Sequence, residues 1–140
     1  MRLAILGGGA LFAAFLAGNT IWGFWAVYQI AYGAFVLMAA MIAATFFWLW
    51  RRRATPLALG MVMSWAGGAF VMGWWWLFRI LGHPAAMTEH PALFAGLALY
   101  LTGTAMHFSV IGANLGWPRI GWAVPVVLAA SVSLALAAAI

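Results

Sequence analysis

Five residues of one apolar stretch, Gly96, Tyr100, Gly103, His107 and Asn114, are separated by four, three, four and seven positions. In an α-helix that spacing puts all five on one face. His107 lies well inside the stretch, about 15 residues from its start, with no charged side chain nearby in sequence. An ionisable group among so many apolar residues is a functional hypothesis by default. Gly103, one turn before His107, removes side-chain bulk beside the imidazole, so that a flat macrocycle or a neighbouring helix can approach.

Three readings of His107 stay open. A neutral imidazole can hydrogen-bond a serine, threonine or carbonyl on another helix and serve packing alone. It can be the axial ligand of a haem or a (bacterio)chlorophyll-type pigment, with Gly103 clearing room for the ring. It can also contact a quinone headgroup or relay protons, with Tyr100 and Asn114 beside it. Bis-histidine haem ligation within one chain is not expected. His83 and His90 precede the helix, whereas His107 lies roughly 20 Å further along it at 1.5 Å per residue.

His83, Glu89 and His90 form a second constellation, since two imidazoles and a carboxylate can bind zinc. The alternative is that His-Pro and Glu-His-Pro are simply polar turn residues. Glu89 is the sole acid of the chain and there is no aspartate. Paired-carboxylate chemistry and a Ser-His-Asp triad are thereby excluded. The absence of cysteine excludes disulfides, thiolate metal sites and iron–sulfur ligation. Gly7-Gly8-Gly9 is no phosphate loop, because no lysine and no following Ser/Thr accompanies it.

The elements that must position these residues follow from hydropathy. Of 140 residues 69% are hydrophobic and only 5% charged, where a water-soluble domain needs roughly a quarter charged. Charge-free apolar runs of membrane-spanning length recur along the whole chain. The expected fold is all-α: a single integral membrane domain, a polytopic helical bundle of about five spans over residues 3–27, 29–50, 56–81, 92–115 and 120–140. Met1-Arg2 and the apolar run to Ala17 resemble a secretory leader and are read here as the first helix. Its end is drawn near Tyr28-Gln29 rather than at Gly18-Asn19-Thr20, because the later turn divides residues 3–50 evenly. Thr55 is read as the cap of the third helix, with Pro56 in its first turn. Residues 82–91 form the polar loop, and Gly116-Trp117-Pro118-Arg119 a tight turn.

All six basic residues are arginines. With five spans, Arg2, Arg51, Arg52, Arg53 and Arg119 fall on one side and Glu89 on the other. The positive-inside rule then puts the N-terminus in the cytoplasm, in what is expected to be a bacterial inner membrane. Arg79 breaks the pattern and is expected to snorkel outward or pair with Glu89. The net charge of +5 is therefore read as topology and lipid contact, not nucleic-acid binding.

Most of the ten tryptophans, Trp48, Trp50, Trp74, Trp75, Trp76, Trp117 and Trp122 among them, are expected at membrane interfaces. Trp22, Trp25 and Trp65 are expected deeper. Gly60, Ser64 and Gly68, and likewise Gly9, Ala13 and Ala17, offer small-residue faces for close helix approach within the chain or between subunits. The expected function is a non-catalytic subunit of a larger inner-membrane assembly concerned with electron transfer or light capture. Its partners would be the lipid bilayer and other membrane subunits, or further copies of itself. A small oligomeric channel or transporter with a polar path along the fourth helix is the alternative, and a quinone-reactive membrane subunit the next.

Overall fold

The computed structural model describes residues 2–116 and 123–138, and among these the fold is all-helical with no strand. Five α-helices occur in chain order: α1 (Arg2–Trp22), α2 (Phe24–Arg53), α3 (Pro56–Ile80), α4 (Ala92–Asn114) and α5 (Ala123–Ala138). A short 3₁₀ turn, Ala85–Met87, sits in the polar loop. α1, α2, α3 and the stretch Ala85–Asn114 that holds α4 are each long and apolar enough to cross a membrane. α5 is described over 16 residues, about 24 Å at 1.5 Å per residue. The expected turn at Gly116-Trp117-Pro118-Arg119 and the start of the fifth helix fall largely outside the described residues.

The boundary between the first two helices is not near Tyr28-Gln29. It is at Gly23, a single residue with φ 80° and ψ 162°. A side chain is strained at such angles, and glycine is not. Tyr28 and Gln29 lie instead inside α2. There Phe24, Tyr28 and Tyr32 recur every four residues, with the Phe24–Tyr28 rings stacked at 5.9 Å and the Tyr28–Tyr32 rings at 5.5 Å. An i,i+4 ladder of aromatic rings stabilises helix, not turn.

The other boundaries have visible local causes. α2 runs through the three arginines and stops at Ala54 in the left-handed conformation (φ 49°), whose N–H donates to the Trp50 carbonyl at 2.7 Å. Thr55 caps α3 by accepting from the Ala58 N–H at 3.3 Å, with Pro56 in the first turn. At the far end Gly82 (φ 75°) allows a paired closure. The Gly82 N–H donates to Arg79 O and the His83 N–H to Phe78 O, satisfying carbonyls that would otherwise be left open.

α3 is the central helix, flanked by α2 and α4; α1 packs only on α2, and α5 on α4. What lets α3 and α4 approach is glycine. A Cβ on Gly103 would meet the backbone of Ser64 and Met63 and sit 2.7 Å from the Gly60 carbonyl oxygen. One on Gly67 would run into the Tyr100 backbone and lie 2.7 Å from Gly96 O. The seam on α3 therefore runs Gly60, Ser64, Gly67, and not on to Gly68, because the helix repeats every 3.6 residues rather than every four. At the crossing Thr104 donates to its own turn at Tyr100 O (2.9 Å), so Ser64 is the donor in the 3.4 Å contact with Thr104 Oγ1.

Against α2, the Trp76 indole occupies the space a Gly33 side chain would need, and its N–H donates to the Gln29 carbonyl at 3.1 Å. This tryptophan is an interhelical clasp rather than a surface anchor. The Trp74 N–H reaches Met87 O at 3.0 Å and holds the polar loop. Trp22 and Trp25 are exposed at the α1–α2 corner, not deep. Trp65 is the one of the three that faces a groove.

Candidate functional site

Because α3 is flanked on both sides, α2 and α4 stand as walls over one of its faces. The space between them is a groove of about 750 Å³. Its floor is α3 from Leu57 to Met72, about 22 Å of helix at 1.5 Å per residue. Phe35 and Ala39 close it on the α2 side, and Tyr100, Thr104 and His107 on the α4 side. The lining is almost wholly apolar. Its volume lies within the roughly 300–1,000 Å³ usual for small-molecule sites.

The groove gathers part of the face read from the sequence and disperses the rest. Tyr100 and His107 line it. Gly96 and Gly103 are buried against α3, so the room that Gly103 leaves is taken by the Ser64 backbone. Asn114 is exposed at the last residue of α4, outside the groove. The hydroxyls of Ser64 and Thr104 are engaged with each other and with Tyr100 O. The Tyr100 phenol has no hydrogen-bond partner among the described residues.

His107 needs a closer description. Its Cδ2 lies 3.3 Å from where a Gly60 Cβ would stand, so the ring is laid against the glycine seam. Its Nε2 is covered by protein and has no hydrogen-bond partner; among the described side chains only Gln29 Oε1 shares that condition. A tetrapyrrole metal must sit about 2 Å from the ligating nitrogen, with a flat ring around it. No room exists at Nε2 even for a water-sized contact. With Nε2 covered, a haem or chlorophyll-type pigment meets that atom only after the imidazole turns.

His83, Glu89 and His90 do not converge. The His83 ring packs edge-on against Phe78 at 4.9 Å, and the His90 ring leans on Trp74 at 5.3 Å. His90 Nδ1 accepts from the Ala92 N–H at 3.2 Å, at the start of α4. No group of three metal-ligating side chains forms among the described residues. Arg79 turns to aromatic faces and not to Glu89, with its guanidinium carbon 5.0 Å from the Trp25 ring centre and 5.9 Å from that of Tyr28.

Sequence spacing did not reveal the α2 wall or the α3 floor of the groove. Phe35, Leu57, Met61 and Met72 are apolar residues in uniformly apolar helices, and nothing in their pattern marks them. Searches of protein-family models, curated proteins and solved structures find no match to this chain.

Proposed function

We propose that the chain is a non-catalytic integral membrane protein that holds a lipid-soluble ligand in the groove over α3. The membrane reading is supported by an inverted distribution of side chains. Among the described residues the buried ones are small (Gly, Ala, Ser and one Val), and no large side chain is fully buried. Leucines, phenylalanines and isoleucines face outward, Leu3 at 85% and Phe94 at 72% exposure. In water that arrangement forfeits the hydrophobic driving force. In hydrocarbon it is favourable, because helices there associate through close packing of small residues.

The single observation that carries the binding reading is the groove itself: about 750 Å³ and apolar, with the Tyr100 phenol as a polar group not engaged in a side-chain hydrogen bond. Such a site takes a largely apolar molecule bearing few polar atoms, and a quinone or another isoprenoid belongs to that class. A hydrated ion path gains little support, since Ser64 and Thr104 are already paired and Asn114 stands apart.

Gly68 provides the test. It lines the groove, and a Cβ there would touch only the Tyr100 ring, at 3.6 Å, without striking backbone. Gly68→Leu should fill the groove and leave the α3–α4 seam intact. Mass spectrometry of protein purified from its membranes should find a small lipophilic molecule with the wild type and at least tenfold less with the variant. Equal retention by a folded variant would remove the groove as the site. The absorption spectrum should show no Soret or near-infrared band.

A second reading concerns association, and α1 favours it. This helix buries only 6% of its span against the rest of the chain, and Gly7, Gly8 and Gly9 have nothing within 4 Å. Each glycine inside a helix costs about 1 kcal/mol relative to alanine. The triplet is repaid only if another helix, from a second copy or another membrane subunit, packs on it. In this reading the chain is a subunit of a larger assembly.

A further inference from the structure

We propose that the end of the bundle where α2 begins and α3 ends carries a binding site for the phosphate headgroup of an anionic membrane lipid, centred on Arg79. The inference rests on the membrane reading above but not on the groove.

Arg79 is exposed in the last turn of α3, at the end of the bundle opposite the Arg51–Arg53 triplet. Its guanidinium is held by aromatic faces, 5.0 Å from the Trp25 ring centre and 5.9 Å from that of Tyr28. Those two rings meet edge to face at 6.0 Å, and Tyr28 is itself stacked between Phe24 and Tyr32. The wall is therefore a braced cluster, not one mobile side chain.

What matters is which part of the guanidinium this geometry uses. The cation–π contacts hold the guanidinium carbon over the two rings and use none of its N–H groups as hydrogen-bond donors to a side chain. The five N–H donors lie in the plane, around its rim, and stay available. No side-chain hydrogen bond among the described residues involves them. A guanidinium held over aromatic rings with its donors unengaged by side chains can take phosphate bidentately. The neighbouring backbone N–H groups of Leu81, Gly82 and His83 are engaged in closing α3, so the cationic donor of this end is the arginine.

Charge and depth agree with a lipid source. The one acid of the chain, Glu89, lies in the loop after α3, and among the described residues Arg79 turns to the Trp25 and Tyr28 rings and makes no ion pair with it. In a membrane, the last turn of α3 and the first turns of α2 lie at headgroup level, where tryptophan and tyrosine rings collect. A phosphodiester that enters there can leave its acyl chains along the exposed faces of α2 and α3.

The test uses full-length protein in detergent, with native mass spectrometry after titration by phosphatidylglycerol or phosphatidylcholine. Arg51, Arg52 and Arg53 are changed to glutamine throughout, to remove their background. That parent should retain phosphatidylglycerol at least fivefold better than phosphatidylcholine, and Arg79→Ala should abolish the preference. Arg79→Lys, which keeps the charge but loses the fork, should retain less than half of it. Trp25→Leu, which removes the wall and leaves the arginine, should weaken retention about threefold. Melting curves in the same detergent check that each variant is folded; should Arg79→Ala unfold, the lysine and Trp25 variants decide. Unchanged preference in the folded variants overturns the site. Displacement of the lipid by millimolar inorganic phosphate would identify a site for the free ion and overturn the lipid assignment. Recovery of the protein in the soluble fraction without detergent would sink the membrane reading instead, an outcome distinct from either.

Discussion

A buried polar atom without a partner costs a folded chain roughly 1–3 kcal/mol, and His107 Nε2 is such an atom. Its replacement should therefore be tolerated by the fold. His107→Leu is expected to raise the unfolding free energy by about 1 kcal/mol, read from denaturation in mixed micelles. A comparable loss would mean that the imidazole makes a bond absent from this conformation. Ala54 carries local strain of another kind, as one of two non-glycine residues, with His83, in the left-handed region among the described residues. It adopts φ 49° to end α2 just past the arginine triplet, which costs an L-residue roughly 1–2 kcal/mol. Glycine removes that strain but adds freedom to the unfolded chain. Ala54→Gly should stabilise by a net amount of about 0.5–1 kcal/mol in the same assay, and destabilisation would show that the left-handed cap does not form.

At the scale of elements, glycines that look alike in sequence separate into two kinds. Gly67 and Gly103 face backbone that cannot yield, whereas Gly7, Gly8 and Gly9 face open space. Gly67→Ala or Gly103→Ala must push α3 and α4 apart and should cost at least about 2 kcal/mol. Gly8→Ala should cost nothing in the isolated chain and gain up to about 1 kcal/mol from helix propensity. Parallel melting of the three variants checks the contrast, and equal effects would refute the seam. This contrast also marks what was legible beforehand. Thr55-Pro56 and the Gly82–Pro91 loop carry explicit chemistry, so the limits of α3 and α4 could be read to within a residue. Gly23 is one of sixteen glycines, and only its conformation shows that the chain breaks there. The α4 face was legible as a face, because Gly96 and Gly103 share it with Tyr100 and His107. Which of its members pack and which line the groove depends on where α3 crosses, and residue spacing on one helix contains no record of that.

For the molecule as a whole, the distribution of contact is uneven. α2, α3 and α4 form the body, while α1 hangs from it at Gly23 and meets it near the corner, where Gly18 approaches Val27. A helix that contributes little to the body should be removable without unfolding it. A chain lacking residues 2–22 is expected to insert, to keep its unfolding free energy within about 0.5 kcal/mol of the parent, and to retain any ligand of the groove, whose lining lies entirely in α2, α3 and α4. Association should behave oppositely. If the Gly7–Gly9 surface is where a second membrane helix packs, the truncated chain should run as a smaller species in size-exclusion chromatography, and Gly8→Leu in the full chain should do the same. Truncation that unfolds the body would place α1 in the core, against its nearly complete exposure. Truncation that leaves the size of the assembly unchanged, apart from the missing segment, would leave lipid as the neighbour of α1 and end the subunit reading while sparing the groove.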